Sequence, residues 1–103
     1  MNDRFIQALS DLLVGKTVTI LSLTGTGQVR SSETTLLERV RKNGDTLSLD
    51  TDCGVFSSLT HAIVRPEDHL VVFETDADIV KRRVLLCPDV SFAGWCLLSE
   101  TLW

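Results

Sequence analysis

What the chain lacks narrows its reading first. It has no C-x-x-C pair, and three cysteines, Cys53, Cys87 and Cys96, make an odd total, poor arithmetic for a disulfide framework. Two of them sit among apolar neighbours, Leu85-Leu86-Cys87 and Trp95-Cys96-Leu97, which predicts buried free thiols and a reducing compartment. A basic excess is also missing: ten Lys and Arg against fourteen Asp and Glu leave a net charge of −4. Sequence-independent nucleic-acid binders draw their affinity from neutralising phosphates, so such a role here needs a local positive patch. No apolar run approaches the roughly 20 residues of a membrane span. The N-terminal M-N-D-R-F-I-Q-A-L-S-D-L-L carries charges through its apolar part and lacks a small-residue cleavage site. It does not read as a signal peptide, and the cytoplasm is the expected compartment. There is no internal repeat and no low-complexity tract.

What is present is ordinary globular composition, 44% apolar and 23% charged over 103 residues, the length of one domain. Asn2 or Asp3 can cap a helix whose Phe5, Ile6, Leu9, Leu12 and Leu13 form one apolar stripe, with Gly15 as its stop. From Lys16 the period changes. K-T-V-T-I-L-S-L is β-branched and partly alternating, with Val18 and Ile20 on one face and Leu21 and Leu23 on the other. Thr24-Gly25-Thr26-Gly27 reads as a turn, Gln28 to Ser32 is too polar to assign, and Thr34 to Arg41 reads as a strand. Leu36 and Val40 are expected on one side of it and Leu37 on the other. Asn43-Gly44 is a strong hairpin signal. Thr46 to Asp50 returns with Leu47 and Leu49 inward. Val55 to Arg65 is a long strand bent near Ser57-Ser58, and Arg65-Pro66-Glu67-Asp68 links it tightly to Leu70–Thr75.

The predicted fold is therefore mostly β: an N-terminal α-helix, then a five-stranded, strongly bent antiparallel small barrel of Sm-like or SH3-like kind. Residues 1–76 form this unit, and 77–103 an apolar C-terminal extension. Within the extension, Asp76 and Asp78 followed by Lys81-Arg82-Arg83 suit a short helix in dipole sense, while residues 84–87 also suit a strand. Residues 90–98 fit a helical stripe and a strand alternation alike. Both tryptophans and Phe92 lie in the last twelve residues, an apolar load expected to pack on the barrel or on a neighbouring subunit.

Parts of this pattern resemble the Sm-like RNA-associated proteins. Gly15 with Val18 and Ile20 is similar to the opening of their first motif, and Leu36 to Leu49 around Asn43-Gly44 to its hairpin. Ile63-Val64-Arg65-Pro66 followed by Leu70 to Phe73 is similar to their second motif, with Pro66 in place of a glycine. Thr46 stands where the family has a base-contacting asparagine, and Gly44 near its base-stacking aromatic. The resemblance implies a bent barrel and a homo-oligomeric ring in which the edge strand Leu70–Thr75 pairs with the next subunit. It also implies single-stranded RNA bound by Arg65, Thr46, Asn43, Arg41 and Lys42 as an inner basic surface. The competing expectation is an oligomeric scaffold or protein-interaction module that keeps the barrel and binds no RNA.

No residue set spells out a reaction, so catalytic residues, cofactor and metal are all expected to be none. Gly25-x-Gly27 has Arg30 where a dinucleotide fingerprint needs glycine. Gly15-Lys16-Thr17 lacks the upstream glycine of a phosphate loop. His61 and His69 flank the Arg65 link without further ligands at matching positions. Ser57, Ser58 and His61 offer the residue types of a hydrolase without the elbow that activates its serine.

Overall fold

A computed structural model describes residues 2–75 and 83–102. It contains α1 (Asp3–Leu13), six strands, β1 (Thr17–Leu23), β2 (Val29–Asn43), β3 (Thr46–Thr51), β4 (Gly54–Arg65), β5 (Leu70–Thr75) and β6 (Arg83–Cys87), and a last helix, α2 (Phe92–Leu102). A 3-10 turn over Pro66–Asp68 joins β4 to β5. The strands close into one antiparallel barrel in chain order, β6 returning to pair with β1.

The fold class is as expected, with one correction: the barrel has six strands, not five. The sixth is Arg83–Cys87, drawn from the stretch read as extension, and it pairs with β5 through Val72–Leu85 and with β1 through Leu85–Leu21. Strand Leu70–Thr75 is thereby bonded on both sides, to β4 and to β6, and is no free edge. Val84 and Leu86 turn into the core while Leu85 and Cys87 turn out, half-buried, so this run is apolar on both faces. Of the short helix over Asp76, Asp78, Lys81 and Arg82, residues 76–82 lie outside the described residues, and Arg83 opens β6.

Inward alternation builds the core. Val18, Ile20, Leu37, Leu47, Leu49, Leu59, Val71, Phe73, Val84 and Leu86 fill the barrel, each at most 4% exposed. Of the register shifts that bend the sheet, two fall where the long strands β2 and β4 pair with β3. One between Leu37 and Arg39 shifts the β2 register against β3, so Val40 joins Leu37 on the core side while Leu36 faces out. That overturns the expected pairing of Leu36 with Val40, because an inserted residue reverses strand parity. The other opposes Leu47–Leu49 to Leu59–Phe56, with Ser58 at φ 62, the bend expected at Ser57-Ser58. Gln28–Ser32, left unassigned in the sequence, mostly belongs to β2: its hydroxyl-rich residues face outward or pair beside β1.

The β2–β3 connection is a two-residue loop, Gly44-Asp45, with positive φ at Gly44 alone. This is the arrangement of a type II′ hairpin, whose twist matches the strands it joins.

The two helices form a layer on the barrel. Phe5, Leu9 and Leu13 of α1 and Trp95 and Leu98 of α2 complete the core cluster. Burying side chains of this size stabilises by about 1.5–3 kcal/mol each. Asn2 joins the helices end to end. Its carboxamide oxygen accepts from Phe5 N at 2.8 Å, capping α1, and its Nδ2 donates to Thr101 O at 2.7 Å and Leu102 O at 3.2 Å, closing the end of α2. The helices therefore run antiparallel, with Gly94 of α2 beside Leu12. A Cβ at Gly94 would run into Val90 Cγ1, so this glycine is required by packing. The stretch that fitted both periods is thus helical from Phe92, and it covers β4.

Asn2→Ala removes both functions of the cap, and a loss of about 1–2 kcal/mol is expected. Asn2→Asp keeps the acceptor for Phe5 N but has no donor for α2, so its loss should be smaller. Urea unfolding of both variants checks this; equal losses would show that the acceptor side of the cap is worth nothing.

Candidate functional site

Four of the five residues predicted to line a basic surface fall at one hairpin and the fifth ends a different strand. Asn43, Thr46, Arg41 and Lys42 lie at the β2–β3 hairpin. Arg65 closes β4, opposite Leu70, where β3 no longer pairs with that strand. Most of their polar atoms already have partners. Arg41 grips Asp50 with two nitrogens, Nε at 2.8 Å and Nη2 at 2.9 Å, and Arg39 Nε adds a third contact at 3.2 Å. Lys42 Nζ reaches Asp3 at 2.7 Å, tying the hairpin to the start of α1. Thr46 Oγ1 donates to Asn43 O at 2.8 Å, a turn closure that satisfies both. Arg65 Nη1 lies 3.5 Å from Asp68.

Asp50, Asp52 and Asp3 are favoured in their ionised form by their partners. The Arg41 guanidinium bonded to Asp50 puts its carboxyl below the ordinary 3.8, with Arg39 adding to the effect. Asp52 is lowered by the Thr35 hydroxyl and by Leu36 N at 3.1 Å, and Asp3 by Lys42. Asp52 also donates its own amide to Leu36 O at 3.2 Å, so it pins the β3–β4 turn to β2 beside the bulge. These are structural pairings, which neutralise the hairpin cations.

The cysteine expectation needs correcting as well. All three are free, but Cys53 and Cys96 are exposed and Cys87 is half-buried, its thiol pushed up by that burial. Cys53 lies in the β3–β4 turn, and Cys96 faces outward on α2, so apolar neighbours in sequence were not neighbours in space. Among the described residues no group of three or more His, Cys, Asp or Glu is placed to hold a metal. No helix among them is long and apolar enough to cross a membrane.

The feature that sequence reasoning missed is on the outside of the barrel. Strand register sets Ile63 beside Val72, Val72 beside Leu85 and Leu85 beside Leu21. These four point away from the core, since their chain neighbours Val71, Phe73, Val84, Leu86 and Ile20 point into it. Ile63 is 46% exposed. The flanking row is His61, Glu74, Arg83 and Leu23, also in register. Of these, Ile63, Val72, Leu85, Leu23, Glu74 and Arg83, together with Leu70 and Arg65, line a groove of about 300 Å³. The signal was available: L-V-V-F, V-L-L-C and I-L-S-L do not alternate, and strands that fail to alternate are apolar on both faces.

On acidification, Asp50, Asp52 and Asp3 each have a folded value below 3.8. The stability they contribute is therefore present above the unfolded value and is lost as pH falls through the folded ones. Urea midpoints should be level near neutrality and fall below about pH 4, and Asp50→Asn should flatten part of that fall. A wild-type midpoint unchanged down to pH 2 would contradict it.

Comparison with protein-family models, with curated proteins and with solved structures gives no match to this chain.

Proposed function

We propose that the chain is a non-catalytic protein-interaction module, a closed small barrel that receives a short segment of a partner protein in its outer groove. The observation that carries this is the apolar row Ile63, Val72, Leu85 and Leu21 across four hydrogen-bonded strands on the outer face, Ile63 exposed and the other three half-buried. A barrel needs inward apolar residues to fold; it does not need this outward row, which leaves room for a partner. The arginines define the partner's chemistry. Arg65 is 3.5 Å from Asp68 and Arg83 is 3.8 Å from Glu74, long contacts that leave donors for an incoming carboxylate. The segment that fits is apolar at its centre and acidic at its ends.

Pairing weighs against the RNA reading that the Sm-like resemblance implies. Arg41, Lys42 and Arg39 already hold carboxylates. The ring reading loses its strand-pairing route, because the strand it would use between subunits is bonded to β6.

The test is selection of a random peptide library on the purified protein, with low-salt titration of a uridine-rich single-stranded RNA alongside. Enriched peptides should be apolar with flanking Asp or Glu, and Ile63→Asp should weaken them roughly tenfold or more without lowering the unfolding midpoint, since Ile63 is an outward residue. Arg65→Ala should weaken the acidic peptides less. No enrichment, or enrichment untouched by Ile63→Asp, sinks the proposal; RNA binding abolished by Arg65→Ala would reinstate the nucleic-acid reading.

A further inference from the structure

Strand register gives the outer groove a direction. Its residues fall on rows two residues apart along the strands: Arg65 with Leu70, then Ile63 with Val72 and Leu85, then Glu74 with Arg83. A line from Arg65 on β4 to Arg83 on β6 therefore passes over Val72 on β5. Four residues along the strands and two strands across set the two arginine Cα atoms about 16 Å apart. That is the reach of about five extended residues.

The two ends of this line differ. Arg65 has Asp68 beside it, 3.5 Å from Nη1, in a turn that also carries Glu67. Beyond Arg83 lies a second cavity of about 240 Å³, walled by the β1–β2 turn Thr24-Gly25-Thr26-Gly27 and by Glu74 and Arg83, which line both cavities. The turn is closed by Gly27 N donating to Thr24 O at 2.9 Å and Thr24 N donating to Gln28 O at 2.8 Å, with Gly27 at φ 88. Gln28 N donates to the Thr24 hydroxyl at 3.2 Å, and that hydroxyl lies 2.9 Å from the hydroxyl of Thr26. The amides of Gly25 and Thr26 are left without an acceptor among the described residues. The Arg83 guanidinium meets one carboxylate among them, Glu74, 3.8 Å from Nε, so its terminal nitrogens stay open.

Two spare backbone amides and a guanidinium on the wall of one small cavity are the donors that a carboxylate takes. An apolar groove adjoins it. A chain end supplies both parts, an α-carboxylate for the cavity and apolar side chains for the groove. An internal acidic residue would have to carry its chain onward over the turn that walls the cavity.

Resting on the peptide reading above, we propose that the groove takes the free C-terminus of its partner. The α-carboxylate lies against Arg83 and the Gly25 and Thr26 amides. The last residues cover Val72 and Leu85, and an Asp or Glu about four positions upstream reaches Arg65. Glu74 is the one wall group among the described residues that opposes this carboxylate, and it competes for the same arginine. Its effect therefore has a sign: with its charge removed a carboxylate binds tighter, whereas an incoming amine binds weaker.

Two libraries of N-acetylated heptapeptides, one with free C-termini and one amidated there, are bound to the full chain. The free acids should be enriched, with an apolar last residue and an Asp or Glu about four positions before it. Amidating an enriched peptide should weaken it about tenfold or more. Arg83→Gln should weaken the free acid by a similar factor, and Glu74→Gln should tighten it. The φ of Gly25 is not positive, and proline suits the first central position of such a turn. Gly25→Pro, which deletes one amide, should thus weaken the peptide without lowering the urea midpoint. Amides that bind as well as acids, a free acid weakened by Glu74→Gln, or binding untouched by Arg83→Gln or Gly25→Pro overturn the terminus and leave the groove reading standing. No binding from either library overturns both.

Discussion

Closure of the barrel by β6 is the constraint on which the rest depends. Five strands in chain order would leave β1 and β5 each with an unbonded side, a row of amides and carbonyls that must find partners. Arg83–Cys87 supplies both rows at once, antiparallel to β1 and to β5. Its inward residues, Val84 and Leu86, finish the core, so one five-residue segment satisfies the backbone and the hydrophobic interior together. The bulges at Glu38 and Ser57-Ser58 serve the same end, because strands as long as β2 and β4 must turn a corner to stay within so narrow a barrel.

Once no edge is left, recognition moves from strand ends to faces. Ile63, Val72, Leu85 and Leu21, outward residues of β4, β5, β6 and β1, form a continuous apolar row because the strand register sets them side by side. The outward residues of β2 and β3 are instead taken up by the Arg39–Asp50–Arg41 cluster, which covers β3 and leaves Ser48 and Asp50 buried. One side of the barrel is thus an ion-paired, self-satisfied surface and the other an unsatisfied apolar one. The helical layer repeats the contrast on its own scale: charged α1 faces outward beside an α2 whose exposed stripe is uncharged.

Much of this was legible in the chain. The stripe Phe5, Leu9 and Leu13, the inward pair Leu47 and Leu49, the bend at Ser57-Ser58 and the Arg65-Pro66 link all read locally, because each follows from period or turn chemistry over a few residues. The sixth strand did not. V-L-L-C has no alternation, and whether such a run is strand or buried helix is decided by what lies on either side of it in space. The parity of Val40 was hidden for a related reason, since a bulge leaves no mark in composition. The site was the least legible part. Arg41 and Lys42 look like free cations in a list, and only the fold brings Asp50 and Asp3 to them, residues 9 and 39 positions away.

The most direct test of a barrel closed within one chain is amide hydrogen exchange over a range of protein concentrations. The β5 and β6 amides should be protected to nearly the global unfolding free energy, as for strands bonded on both sides. Amides of β5 that exchange freely in the monomer, and slow only as concentration rises, would show that the sheet is completed by another copy and that β6 does not close it.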